Sequence, residues 1–249
     1  IVTSQPGIYT VTVTGANGCS STASTTVTAN PSPTPTATAT PTTVCNGGNS
    51  QLNVTGLATG YSVNSTTYGL QPTTGFVAGP SGYDVISAAI PLPFTFNYFG
   101  SNKTQLFINT NGQIGFDYTG SWANEQRNAQ TIPDSTLPND NISLCWADLN
   151  EGAGQITYGV VAGTVAPNQI FVVNFNAVPF FSGGDVLSGQ IQLYEATQQI
   201  QIHVASFTNN VALKTLGIEN ASGTVGVAAT GRNNVNWLVS TPEAWSFTP

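Results

Sequence analysis

Apolar and polar residues alternate in twos along most of this chain, and nowhere does a convincing helical stripe appear. Tyr9, Val11 and Val13 alternate with threonines, Asn17-Gly18 supplies a turn, and residues 22–29 return as a second strand. Asn-Gly is a strong hairpin signal because both residues tolerate positive φ. Phe94, Phe96 and Tyr98 share one face opposite Thr95 and Asn97, the mark of a half-buried strand. Ile142, Leu144 and Trp146 repeat that pattern. The same reading places strands at 51–54, 84–90 (stopped by Pro91), 105–108 and 113–118, with a tight turn at Asn111-Gly112. It continues with 155–161, 169–175, a natural pair at 190–194 and 199–204, then 214–219, 224–228 and 237–240. Residues 119–141 lack periodicity and read as a long loop, a kind of connection that often carries function. About a dozen short strands between Gly, Asn and Pro turns predict an all-β chain: a large jelly-roll-like β-sandwich preceded by a β-hairpin.

Residues 31–43 are dominated by Pro and Thr and read as an extended, polyproline-like tether. A lone two-stranded hairpin is marginally stable in water. Residues 1–30 are therefore expected to be the last two strands of an upstream β-sandwich, with 31–43 as linker and 44–249 as the main module. The chain reads as a slice of a longer array of β-modules.

Composition narrows the function classes. Charged residues are 6% of the chain, far below the ~25% of an ordinary globular domain. Hydrophobic content of 40%, with 12 Phe, 8 Tyr and 4 Trp, excludes a disordered chain. Solubility must come from Thr, Ser, Asn, Gln and Gly, a surface typical of extracellular β-proteins. The net charge is −7, and the four basic residues, Lys103, Arg127, Lys214 and Arg232, are scattered. No basic stripe exists to neutralise phosphates, which disfavours nucleic acid. No run approaches the ~20 apolar residues of a membrane helix. The three cysteines form no C-x-x-C pair. An oxidising exterior suggests one disulfide and one orphan: Cys45–Cys145, or alternatively Cys19–Cys45.

Several motifs resemble known modules. YTVTVTGANGCSSTASTTVTANP followed by TTVCNGGNSQLNV resembles the tandem Ig-like repeats of very large surface proteins of the Bacteroidota. IPLPFTFNYFGSNKTQLFINTNGQIGFD, IPDSTLPNDNISLCWADLN, APNQIFVVNFNAVPFF, IQLYEATQQIQIHV and GIENASGTVG are similar to a nidogen-like all-β module found among such repeats. Where that module usually carries W-D-D-L-N, this chain has Trp146-Ala147-Asp148-Leu149-Asn150, one carboxylate fewer. The resemblance implies an extracellular, bacterial cell-surface location.

No catalytic constellation emerges. His203, the sole histidine, has no G-x-S-x-G partner and is expected to be an ordinary surface or edge residue. Asp148, Asn150 and Glu151 offer hard oxygen ligands and form a candidate calcium site. Asp134 and Asp140 are the other neighbouring acids. Trp122, Phe180 and Phe181, with Tyr194 and Trp237, are candidate ligand-binding aromatics because they fall in or near loops. Lys214, followed by Glu219-Asn220, raises the question of a Lys–Asn isopeptide staple, although a solvent-facing lysine is the expectation. Ser135, within Asp134-Ser135-Thr136, resembles an O-glycosylation sequon. The function these features predict is non-catalytic adhesion or display, with glycans or surfaces as partners. The alternative is a structural subunit of a filament, in which the hairpin adds to the sheet of a neighbouring copy.

Overall fold

The computed structural model describes residues 7–27, 36–45, 47–55, 60–117, 127–150 and 155–249. Every regular element among them is a strand, and the chain divides into two compact units, Ile1–Thr34 and Pro35–Pro249. In the first unit, β1 (Gly7–Thr14) pairs antiparallel with β2 (Ser20–Val27), Gly7 opposite Val27 and Thr14 opposite Ser20. Gly18 takes the positive φ the turn requires, and Gly15 N donates to Cys19 O at 2.8 Å. Ile8, Val11 and Val13 of β1 are all exposed.

The second unit opens with β3 (Thr36–Thr40) paired with β4 (Gln51–Thr55). The expected tether is thus a paired strand over residues 36–40. The reason is local: no proline falls between Pro35 and Pro41, so five consecutive N–H groups are available, and alternating threonines favour extended backbone.

The remaining strands are β5 (Ser62–Thr66), β6 (Val77–Ala78), β7 (Ile90–Tyr98), β8 (Ser101–Asn109), β9 (Gln113–Gly115), β10 (Asn141–Trp146), β11 (Gln155–Val160), β12 (Ile170–Pro179), β13 (Val186–Tyr194), β14 (Ile200–Val204), β15 (Thr215–Glu219), β16 (Gly226–Ala228) and β17 (Glu243–Thr248). They form a six-stranded sheet, β16-β15-β10-β9-β8-β7, and a seven-stranded sheet, β5-β17-β14-β13-β12-β11-β6. All pairs are antiparallel, and each sheet is built around a run of sequential neighbours, as hairpin turns dictate. The sheets enclose one apolar core that includes Phe96, Ile108, Ile142, Phe175, Ile191 and Phe247. Burying each such side chain contributes about 1.5–3 kcal/mol. The layers meet closely where Leu144 of β10 lies over Gly189 of β13; a Cβ on Gly189 would be 3.1 Å from Leu144 Cδ1.

Phe94, Phe96 and Tyr98 face the core as expected, but β7 starts before Pro91 and passes through Pro93. It is an edge strand whose prolines are exposed, and its pairing with β8 is interrupted between Pro91 and Phe96. Residues 84–89 are not a strand: Asp84 has φ +52°, and only the Ile86–Asn109 bridge and a few isolated hydrogen bonds join this segment to the β8 end. In β10 a bulge lets Leu144 N and Cys145 N both donate to Gly112 O. Cys145 thereby joins the core, while Trp146, also fully buried, lies outside that cluster. Neither expected disulfide forms. All three thiols are free; Cys145 is sealed between the sheets, out of reach of the exposed Cys45.

Amide side chains cover the polar faces of both sheets. On the seven-stranded sheet, Gln190 accepts from Gln71 N (2.8 Å) and donates to Gln71 O (2.9 Å). In the connection after β16, Asn233 accepts from Ile132 N and donates to Ile132 O, both at 2.8 Å. Each amide grips a crossing segment's peptide group as a neighbouring strand would. This is how a chain with so few charges keeps buried backbone groups satisfied.

Candidate functional site

Three loops converge at one end of the sandwich. Their meeting point is Asn111, fully buried beside the turn glycine Gly112. Asn111 Nδ2 donates to Asp84 Oδ1 (2.8 Å), and Asn111 Oδ1 accepts from Leu149 N (2.9 Å). One side chain therefore ties the 81–85 turn and the 147–150 segment to the β8–β9 turn. The 147–150 segment in turn holds the next loop: Asn150 N donates to Pro179 O (2.8 Å), Phe181 N donates to Asp148 O (3.0 Å), and Leu149 bridges Phe180.

Two consecutive aromatics in that loop take opposite roles. Phe180 is buried against Phe207, with ring centroids 5.3 Å apart, and is a packing residue rather than a ligand contact. Phe181 is 56% exposed and lies 5.5 Å from the ring of Tyr83, itself 43% exposed. Around this open pair stand Asp148, Asp84, and Arg127, whose guanidinium lies 3.8 Å from Asp84. Burial and then the neighbouring Asp84 charge raise the Asp148 pKa above the usual carboxylate range. Asp148 Oδ1 is a buried atom without a hydrogen-bond partner.

The loop beside Phe181 is fixed by polar contacts. Asp185 accepts from the N–H of Thr208 and from its hydroxyl, which holds the Asp185 pKa below the usual range. Asn209 Nδ2 donates to Ser182 O and Gly184 O. Lys214, contrary to the expectation of a solvent lysine, is fully buried. Its ammonium donates to Asn209 O (3.0 Å), Ala212 O (2.8 Å) and Asn236 Oδ1 (3.3 Å), and lies 5.7 Å from the ring centres of Phe180 and Phe207. Glu219 is engaged elsewhere, by Asp134 N and Asn141 Nδ2, so an isopeptide constellation around Lys214 is not assembled. Exposed Val211 and Leu213 extend the apolar rim.

The structure thus brings together Asp148, Asn150 and Phe181. Glu151 and Trp122 lie outside the described residues. The calcium reading gains no support: among the described residues no group of three or more acids, cysteines or histidines could hold a metal, and Arg127 opposes a cation beside Asp84. Trp237 is buried, donating to Lys214 O, and Tyr194 is half-buried within the amide ladder. Ser135 is exposed in a turn capped by Asp134. His203 is not a surface residue but is 2% exposed. Sequence reading missed Tyr83, Asp84, Arg127 and Asn111. The Gly82-Tyr83-Asp84 turn was obscured because Asp84 looked like the start of a strand.

A two-sheet antiparallel sandwich with an aromatic, polar loop end defines the class of molecule. Residues 60–248, which contain every strand from β5 to β17, match the model of the NIDO-related family, and the chain belongs to that family. No curated protein and no solved structure matches it.

Proposed function

We propose that this chain is a non-catalytic module of a bacterial cell-surface protein and that the loop end of its sandwich binds glycans in adhesion or display. The exposed Tyr83–Phe181 pair, set beside Asp84, Asp148 and Arg127, carries the reading. Apolar ring faces suit the C–H faces of a sugar, and flanking carboxylate and guanidinium groups suit its hydroxyls. The hydrogen-bonded loops around the pair support it, because a preorganised site loses less ordering entropy on binding. The low-charge, amide-rich composition and the resemblance to repeat-containing Bacteroidota surface proteins support the location. A glycan array probed with the full chain tests the reading. Binding to a defined set of glycans, lost in Phe181→Ala and unaffected by a calcium chelator, is the expected result; a blank array, or binding indifferent to Phe181, contradicts it.

The filament reading retains one specific observation. Ile8, Val11 and Val13 leave the β1–β2 hairpin with exposed apolar side chains that a neighbouring copy could cover. Light scattering and negative-stain microscopy, with and without reductant, decide it. An extending oligomer series supports strand exchange, and a uniform monomer rules it out.

A further inference from the structure

Residues 68–71 cross the polar face of the seven-stranded sheet as a strap held by side chains. Gln190 grips both peptide groups of Gln71, Gln192 Nε2 donates to Gly69 O (3.2 Å), and His203 Nδ1 accepts from Gly69 N (3.1 Å). The ring of Tyr68 packs edge-on against His203, with centroids 6.0 Å apart. The histidine tautomer follows from its partners. Nδ1 accepts, so it carries no proton; Nε2 faces Gln201 Oε1 at 3.1 Å and must donate. Only the neutral imidazole fits both contacts.

We propose that residues 68–71 are a pH-sensitive strap, latched by neutral His203 and released when Nδ1 is protonated. A proton on Nδ1 would point at the Gly69 N–H, turning an attraction between acceptor and donor into a collision of two donors. No compensating charge faces the ring among the described residues. Gln190 of β13, Gln201 of β14 and Ala244 of β17 flank it in register, and none of them titrates. Tyr68 on the strap and Tyr194 on β13 are the nearest titratable groups, and both stay protonated in acid. Glu243, next to Ala244, is held by Arg232 at 2.7 Å. Burial accordingly lowers the His203 pKa from 6.5 to about 4. Release would uncover Gln190 and Gln192 and present a new cation in a molecule of net charge −7.

With the strap open, His203 regains its ordinary pKa, so the closed state is favoured above pH 6.5 and weakened as pH falls towards 4. The closed fraction relative to open should drop about tenfold per pH unit across that window. Hydrogen exchange of the full chain, corrected for intrinsic rates, tests this at the Gly69 and Gln71 amides, with those of Ile191 and Ile202 as core references. The expected result is a fall of more than about a hundredfold in strap protection between pH 7 and 4, with core protection retained. His203→Gln, whose side-chain oxygen can still accept from Gly69, should keep the strap protected throughout. Wild-type strap protection that is constant to pH 4, or lost together with the core amides, overturns the proposal. So does a parallel loss in a folded His203→Gln variant.

Discussion

Single side chains do unusual work in this molecule because so few of its residues are charged. Asn111 secures two segments from one buried position, accepting from Leu149 N and donating to the Asp84 carboxylate. Asn111→Ala would strand both partners, and a loss of about 2–4 kcal/mol is expected, checked by chemical denaturation; a loss under about 0.5 kcal/mol would show that the loops are held otherwise. Glu219 is 1% exposed, and burial raises its pKa from 4.5 to about 7. Because the folded value exceeds the unfolded one, the protonated native state is favoured below pH 4.5. That advantage is lost as pH rises through about 7, a change of about 1–3 kcal/mol. Thermal melts of Glu219→Gln should therefore be flatter than wild type across pH 4.5–7. A wild-type pH dependence preserved in the variant would refute this assignment.

At the scale of elements, strands with clean alternation were legible. Phe94, Phe96 and Tyr98, the 190–194 with 199–204 pair, and the Asn111-Gly112 turn all appear where the pattern put them. Strands without clean alternation were not. β5 and β17 pair with each other, yet SVNST offers one apolar residue and EAWSFT follows a proline, so neither shows a period. Their pairing is non-local and invisible in any short window. The buried polar residues misled for a related reason: His203 and the glutamines do occupy a polar strand face, but a crossing segment covers that face. Turn glycines carry the opposite lesson, since their need is local. Gly112 sits at φ +83°, and an added Cβ would come within 2.4 Å of Cys145 O, the residue whose N–H the Gly112 carbonyl accepts. Gly112→Ala should cost about 2–4 kcal/mol from a left-handed φ and a backbone clash together, measured as a shift in denaturation midpoint; near-wild-type stability would mean the β10 bulge relaxes freely.

At the scale of the whole molecule, the loop end emerges only when segments distant in sequence converge. Phe181 and Asp148 were visible individually as loop residues, but their junction through Phe181 N and Asp148 O depends on the packing of β10 against β13 and β14. Tyr83 and Arg127 join from two further segments. This convergence is the face proposed above to bind glycans. The most direct test measures affinity of the full chain for the strongest glycan on the array, comparing wild type with Tyr83→Ala/Phe181→Ala after circular dichroism shows equal folding. Loss of the two rings is predicted to weaken binding by about tenfold or more. Unchanged affinity in the folded double variant would contradict the account.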